Sequence, residues 1–324
     1  MCVSRQAIAQ RHTIANTGPM LGEVRQVAGT NVQDEGDLRS NESVRRRVGG
    51  TSHGPSFLRW AGSKRKSLAL LASSYRDPAR HYVEPFAGSA ALFFELKPSS
   101  GTLGDLNGHL INAMRQVRDR PAEIHRRLCE FERNPDAYYA TRKRFNEGTR
   151  FGIQAAVDFI YLNRNCFNGL WRTNLAGEFN VPFGGYEMGA YPPLALFQEC
   201  SELLRGAKLR HQDFRKTIEA AGANTFIYAD PPYFTATERV FVEYGKRSFG
   251  EDDLYDLVRL LASAEGRGAE IALTYNDAMP VPELPPHWQV HRFSVTRNVG
   301  GFRGARKRQG EILYTSFDLD NATE

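Results

Sequence analysis

The chain has 324 residues, 41% of them hydrophobic and 11% aromatic, enough for one large domain or two modest ones with a sizeable core. No apolar run approaches the roughly 20 residues that span a bilayer, and the N-terminus has no apolar stretch of the signal-peptide kind, so neither a membrane protein nor an exported one is expected. A net charge of +5 and an isoelectric point near 9.0 favour a polyanionic partner.

Cys2, Cys129, Cys166 and Cys200 are scattered without C-x-x-C spacing, and no histidine pair has metal-ligand spacing. A zinc site or disulfide framework is therefore not supported, no metal is expected, and a reducing cytoplasm fits. Residues 1–54 are rich in Gly, Asn, Gln, Arg, Ser and Thr and end in a basic run, Arg45-Arg46-Arg47, which reads as a disordered tail. Globular patterning begins near Phe57.

His81-Tyr82-Val83 reads as a strand entering a small-residue turn, Glu84-Pro85-Phe86-Ala87-Gly88, with a helix following through Ala90, Leu92, Phe93 and Leu96. A second strand holds Leu103 and ends at Asp105. Leu110, Ile111, Met114 and Val117 then share one helical face, and Pro121 opens a helix with Ile124, Leu128 and Phe131 on its apolar side. Residues 137–190 interleave basic and aromatic side chains before a Gly/Asn-rich stretch, the pattern of an inserted recognition subdomain. Thr225 to Ala229 is a strand running into Asp230-Pro231-Pro232-Tyr233. Ser248 and Glu251 are placed for a capping box, ahead of a helix with Leu254, Leu257, Val258 and Leu261 on one face. Ile271 to Thr274 and Ile312 to Phe317 read as further strands. Strands alternating with helices predict a parallel-rich α/β sheet covered on both faces.

Two constellations carry chemistry. Glu84 to Ala90 is a strand-to-helix turn of small residues, which lets main-chain N–H groups approach a ligand. Asp105, 17 residues after Gly88, ends the next strand, where an acid accepts hydrogen bonds from ribose hydroxyls or caps the following helix. The G-x-G-x-x-G of a pyrophosphate site is absent. Asp230 to Tyr233 can offer a carboxylate and a rigid main-chain carbonyl to an amino group of low nucleophilicity, with Tyr233 as a stacking face for an extruded base; an ordinary turn has similar composition. Around Trp60 and Lys64 the Phe57 to Arg65 string is not a P-loop. It reads either as a ligand wall with a lysine for a carboxylate or as a helix start with a solvated basic face.

Together these residues resemble the Dam-like group of DNA adenine methylases. The resemblance is carried by F-L-R-W-A-G-S-K at 57–64, E-P-F-A-G-S-A at 84–90 and D-L-N at 105–107, then by Y-L-N-R-N-C-F-N-G-L-W-R at 161–172, N-L-A-G-E-F-N-V-P-F-G at 174–184 and D-P-P-Y at 230–233, in the family's order. It implies a Rossmann-like S-adenosylmethionine methyltransferase sheet with helices on both faces. The catalytic domain would comprise residues 55–118 and 208–324, and a mostly helical target-recognition subdomain with a β-hairpin would occupy 119–207. It implies that Trp60, Lys64, Glu84, Phe86, Gly88, Asp105 and Asp230 hold S-adenosyl-L-methionine, and that Asp230, Pro231, Pro232 and Tyr233 hold the target adenine. Arg164, Asn168, Leu170, Arg172, Asn174 and Pro182 would face double-stranded DNA, with Arg172 on a guanine. Arg306 and Lys307 end a Gly-rich basic loop resembling one near the target base. The implied reaction is site-specific adenine-N6 methylation, with GATC as the family's site, in a bacterial or phage cytoplasm, either alone or beside a restriction endonuclease. Cytosine-N4 methylation, RNA or protein methylation, and non-catalytic DNA binding are the alternatives. Ser63, Ala90 and Phe167 depart from the family's commoner residues, as do the extra residues of 300–307, which leaves the recognition sequence open.

Overall fold

The computed structural model describes residues 56–60, 67–186, 189–232, 249–277, 279, 281–298 and 306–319, and the account below concerns these. The expected tail, Lys64, Tyr233, Ser248 and most of the 300–307 loop fall outside them.

Seven strands form one sheet in the order β3-β2-β1-β4-β5-β7-β6. They are β1 (His81–Glu84), β2 (Gly101–Asp105), β3 (Ala207–His211), β4 (Thr225–Ala229), β5 (Glu270–Asn276), β6 (Gln289–Asn298) and β7 (Arg306–Thr315). β3, β2, β1, β4 and β5 run parallel; β7 is antiparallel to β5, and β6 to β7. This is a doubly wound sheet, parallel-rich as the alternation of elements predicts, with an antiparallel edge that the alternation did not indicate.

Side-chain alternation along the strands divides the core into two layers. On β4, Phe226 and Tyr228 face one cluster, and Ile227 and Ala229 face the other. The second cluster is closed by α8 (Phe214–Glu219) and α9 (Glu251–Gly266), whose Leu254, Leu257 and Leu261 are buried as their spacing predicts. The first is closed by α1 (Leu68–Ala72), α2 (Ala91–Leu96) and α3 (Gly108–Asp119). Leu110, Ile111, Met114 and Val117 of α3 are fully buried, each worth roughly 1.5–3 kcal/mol.

Between α3 and β3 lie α4 (Pro121–Cys129), α5 (Pro135–Glu147), α6 (Ile153–Asn165) and α7 (Leu194–Arg205). α3 packs on both α6 and α7, and these helices share one hydrophobic cluster with the sheet. α6 is buried almost all round, so it forms the centre of the inserted layer.

Three readings are corrected. The helix after residue 250 starts at Glu251 with Gly250 as its cap; the N–H of Gly250 donates to Asp253 Oδ2 at 2.9 Å, so the reciprocal acid is Asp253 rather than Glu251. Phe131 lies past the end of α4 and only flanks the core. The last strand begins at Arg306 rather than Ile312, because its polar half pairs with β6, an edge strand whose mixed composition gives no apolar alternation. Among the described residues, no helix is long and apolar enough to cross a membrane.

Candidate active site

The strand order reverses between β1 and β4, whose carboxyl ends open the crevice where such sheets bind ligands. Three acids stand there. Glu84 ends β1 and is 4% exposed; the Tyr82 hydroxyl donates to its Oε2 at 3.1 Å. Burial holds its carboxyl well above the usual carboxylate range against that hydrogen bond, and the charges of Asp230 and Asp105 push it further up.

Asp105 ends β2 and accepts from the N–H of Asn107 at 2.8 Å and of Gly88 at 3.0 Å. Burial pushes its carboxyl up to about 6 despite these bonds. The helix is capped instead by Asn107, whose Oδ1 accepts from His109 and Leu110. Capping therefore does not account for Asp105. Asn107 Nδ2 is buried and finds no hydrogen-bond partner among the described residues.

Asp230 follows β4 directly, and Thr274 of β5 donates to its Oδ1 at 2.8 Å. The threonine is fully buried and lies 3.3 Å from the Tyr228 hydroxyl, so it fixes the carboxylate from beneath. Pro231 is buried beside it and Pro232 half-buried.

The turn between β1 and α2 is tight, with Gly88 at φ +47° and Ala90 at φ +50°. The left-handed conformation costs a non-glycine residue about 1–2 kcal/mol, so Ala90 carries strain that glycine would not. Gly88 has a second constraint: a Cβ there would lie 2.9 Å from Nε1 of Trp60, whose indole covers the turn. Phe86 stacks on Phe214 at 5.1 Å and meets the edge of Phe249 at 5.9 Å. The crevice thus brings together Trp60, Glu84, Phe86, Gly88, Asp105 and Asp230. Thr274, Asn107, Phe214 and Phe249 escaped sequence reasoning. Two signals were available: Thr274, a polar residue inside the apolar run of β5, and Asn107, the last residue of the D-L-N string.

The segment after α6 makes a hairpin-shaped return held by two isolated antiparallel bridges, Cys166 to Phe183 and Thr173 to Phe179. Its first turn, Phe167–Gly169, places Asn168 exposed in the left-handed region at φ 54°. Leu170 is half-buried and Pro182 exposed, with the Pro182 carbonyl accepting from Phe167 at 2.9 Å. Arg172 donates to Asn180 through Nε at 2.7 Å and Nη2 at 3.3 Å, which orients its guanidinium within the return. Trp171 packs on His109 at 5.8 Å, and His109 on Phe145 at 4.5 Å; burial pushes this imidazole down to about 4. The first turn of α3 thereby touches the return.

Two of the residues expected to face DNA have partners within the protein. Arg164 is 8% exposed and donates to the Ala190 carbonyl at 3.4 Å, because the last turn of α6 directs it inward. The Asn174 amide closes its own turn, accepting from Ala176 and Glu178 and donating to Glu178 Oε2 at 2.8 Å. Arg306 and Lys307 begin β7, opposite Asn298 and Arg297. Among the described residues, no group of three or more His, Cys, Asp or Glu could hold a metal ion.

Three carboxyl groups at the strand ends oppose a pyrophosphate and favour a ligand with cationic and hydroxyl groups. A buried amide donor, an indole over a bare glycine and an aromatic cluster suit the rest of a nucleoside-sized molecule.

The family model described as "D12 class N6 adenine-specific DNA methyltransferase" matches residues 60–299. The chain is 30% identical to the Type II methyltransferase M1.LlaDCHI of Lactococcus lactis subsp. cremoris, over 81% of this chain and 95% of that protein. It is 31% identical to the DNA adenine methylase of Escherichia coli strain K12, over 79% and 93%. A 34% match to the DNA N-6-adenine-methyltransferase of Escherichia phage P1 spans 71% of this chain and 31% of the phage protein.

Proposed function

The chain belongs to the D12 class of N6 adenine-specific DNA methyltransferases, and from that premise we propose that it takes its methyl group from S-adenosylmethionine and delivers it to an adenine extruded from duplex DNA at the end of β4. Trp60, Phe86, Gly88, Asp105 and Asn107 would hold the cofactor, which when bound supplies an electrophilic methyl on a sulfonium. Asp105 accepts from ribose hydroxyls, and the unpaired Asn107 amide donates to the same ligand. Lys64, outside the described residues, remains assigned to the cofactor's carboxylate.

The observation that carries the catalytic reading is the fixed carboxylate of Asp230, bonded to Thr274 and close enough to Glu84 to raise its carboxyl. An adenine amino group has its lone pair delocalised into the ring. Accepting both N–H bonds, with the Asp230 carboxylate and the main-chain carbonyl beside Pro231, favours a tetrahedral nitrogen. Tyr233 would stack on the base. Thr274 keeps Asp230 aligned, so little reorganisation is required during reaction.

Residues 119–207 serve as the target-recognition part. Arg172 reads a guanine from a position set by Asn180, and Asn168, Leu170 and Pro182 line the same return. Arg306 and Lys307 contact the DNA from β7. The duplex is the substrate, with GATC as the site suggested by the resemblance; the Type II name of the Lactococcus relative makes a cognate endonuclease a candidate partner.

The test is to express the chain and its Asp230→Ala variant in a methylation-free host, with single-molecule sequencing and nucleoside mass spectrometry of the DNA. N6-methyladenine is expected at one short site containing guanine, with a loss of roughly a hundred- to a thousandfold in the variant, as for other electrostatic catalytic groups. N4-methylcytosine, or undiminished turnover by Asp230→Ala, overturns the assignment; a site without guanine overturns the role of Arg172.

A further inference from the structure

We propose that Asn163 is a positioning residue that couples target recognition to cofactor binding, by clamping the segment that carries Trp60 against the recognition return. The proposal rests on the functional reading above and adds a device for linking its two substrates.

Asn163 lies on the last turn of α6 and is 1% exposed. It exchanges two hydrogen bonds with the main chain of Arg59: the Arg59 N–H donates to Asn163 Oδ1 at 2.9 Å, and Asn163 Nδ2 donates to the Arg59 carbonyl at 2.6 Å. One amide side chain thus does what a neighbouring strand would do for a residue at a sheet edge. The next residue, Trp60, covers Gly88 at the cofactor turn. From the other side, Gly169 of the recognition turn closes on the same arginine: a Cβ at Gly169 would lie 2.7 Å from Arg59 Cβ, and its φ is +64°. The Cys166 thiol, between the two, lies 3.4 Å from the Asn163 carbonyl and 3.3 Å from the Leu170 carbonyl, and its single S–H donates to one of them at a time. Arg59 is therefore gripped by both the end of α6 and the start of the return. A shift of the return on DNA is transmitted to the Trp60 wall by bonded, buried atoms rather than by solvent-exposed chain.

Two residues apart on a helix point to opposite sides, so Asn165 provides a matched control. It is equally buried and accepts from Arg133 Nε at 2.9 Å while donating to the Tyr191 hydroxyl at 3.0 Å, and these bonds tie it to elements other than Arg59. Its loss lowers stability without releasing the clamp.

The experiment measures binding of S-adenosylhomocysteine by calorimetry, with and without an unmethylated duplex carrying the sequenced site, for the full chain and for Asn163→Ala, Asn163→Asp and Asn165→Ala, beside their melting temperatures. In the parent chain the duplex is expected to tighten S-adenosylhomocysteine binding at least fivefold, within the ordinary range of coupling between sites. The ratio falls to about one in Asn163→Ala. In Asn163→Asp, which keeps the acceptor and loses the donor, it is reduced. Asn165→Ala keeps the parent ratio even where its melting temperature drops as far. A parent chain whose binding ignores the duplex, or a folded Asn163→Ala or Asn163→Asp with the parent ratio, overturns the proposal. A parent chain that binds no S-adenosylhomocysteine at all overturns the cofactor reading instead, so the two failures are distinguishable.

Discussion

The carboxyl of Asp105 is pushed up to about 6 by burial, although two main-chain N–H groups favour its charged form. A carboxyl whose folded pKa exceeds its unfolded value supports folding while it is protonated. That contribution is complete below about 4 and is lost as pH rises through about 6. Ribose hydroxyls need the ionised form as acceptor, so ligand binding has the opposite sign. The rise in melting temperature produced by S-adenosylhomocysteine is expected to grow as pH increases from 5 to about 7, read from thermal melts with and without it. A rise that stays flat across that interval contradicts the role given to Asp105. The neighbouring Ala90, strained at φ +50°, shows the same preference at the turn after β1 for a fixed backbone over local ease.

At the level of elements, α3 joins the crevice at the strand ends to the return that follows α6. Its cap, Asn107, lies two residues after Asp105 and donates its main-chain N–H to that carboxylate, and its first-turn His109 touches Trp171 of the return after α6. Asn107→Ala removes a cap that accepts from two N–H groups and is expected to cost about 1 kcal/mol, a fall of roughly 2–4 °C in melting temperature for a chain of this size. An unchanged melting temperature would show that the cap is dispensable. The helices α2, α3, α4 and α9 and the inner strands β1, β2, β4 and β5 were legible from their apolar periodicity, whereas α1 and the helices α5 to α8 were not read from it. β3 and β6 were not, because an edge strand has one neighbour and tolerates charge, as the exposed Lys208 and Arg210 of β3 show.

For the whole molecule, the order of the strands creates the crevice: β1 and β4 lie side by side although more than 130 residues separate them, and their carboxyl ends open it. The net charge of +5 adds a long-range attraction for DNA that releases counterions on binding. Raising salt from about 50 to 200 mM is expected to weaken duplex binding at least tenfold, measured by titration; insensitivity to salt excludes phosphate contacts as a main source of affinity. The sequence by itself determined the alternation of strands and helices, the acids at strand ends and the family. These depend on local periodicity and on short strings such as Asp230 to Pro232, in which chemistry and backbone shape are set by adjacent residues. Only the tertiary structure decided that Thr274 holds Asp230, that Phe214 and Phe249 flank Phe86, that Arg164 turns inward and that Asn163 grips Arg59. Each of these is a contact between distant parts of the chain, or a direction imposed by packing, and linear spacing encodes neither.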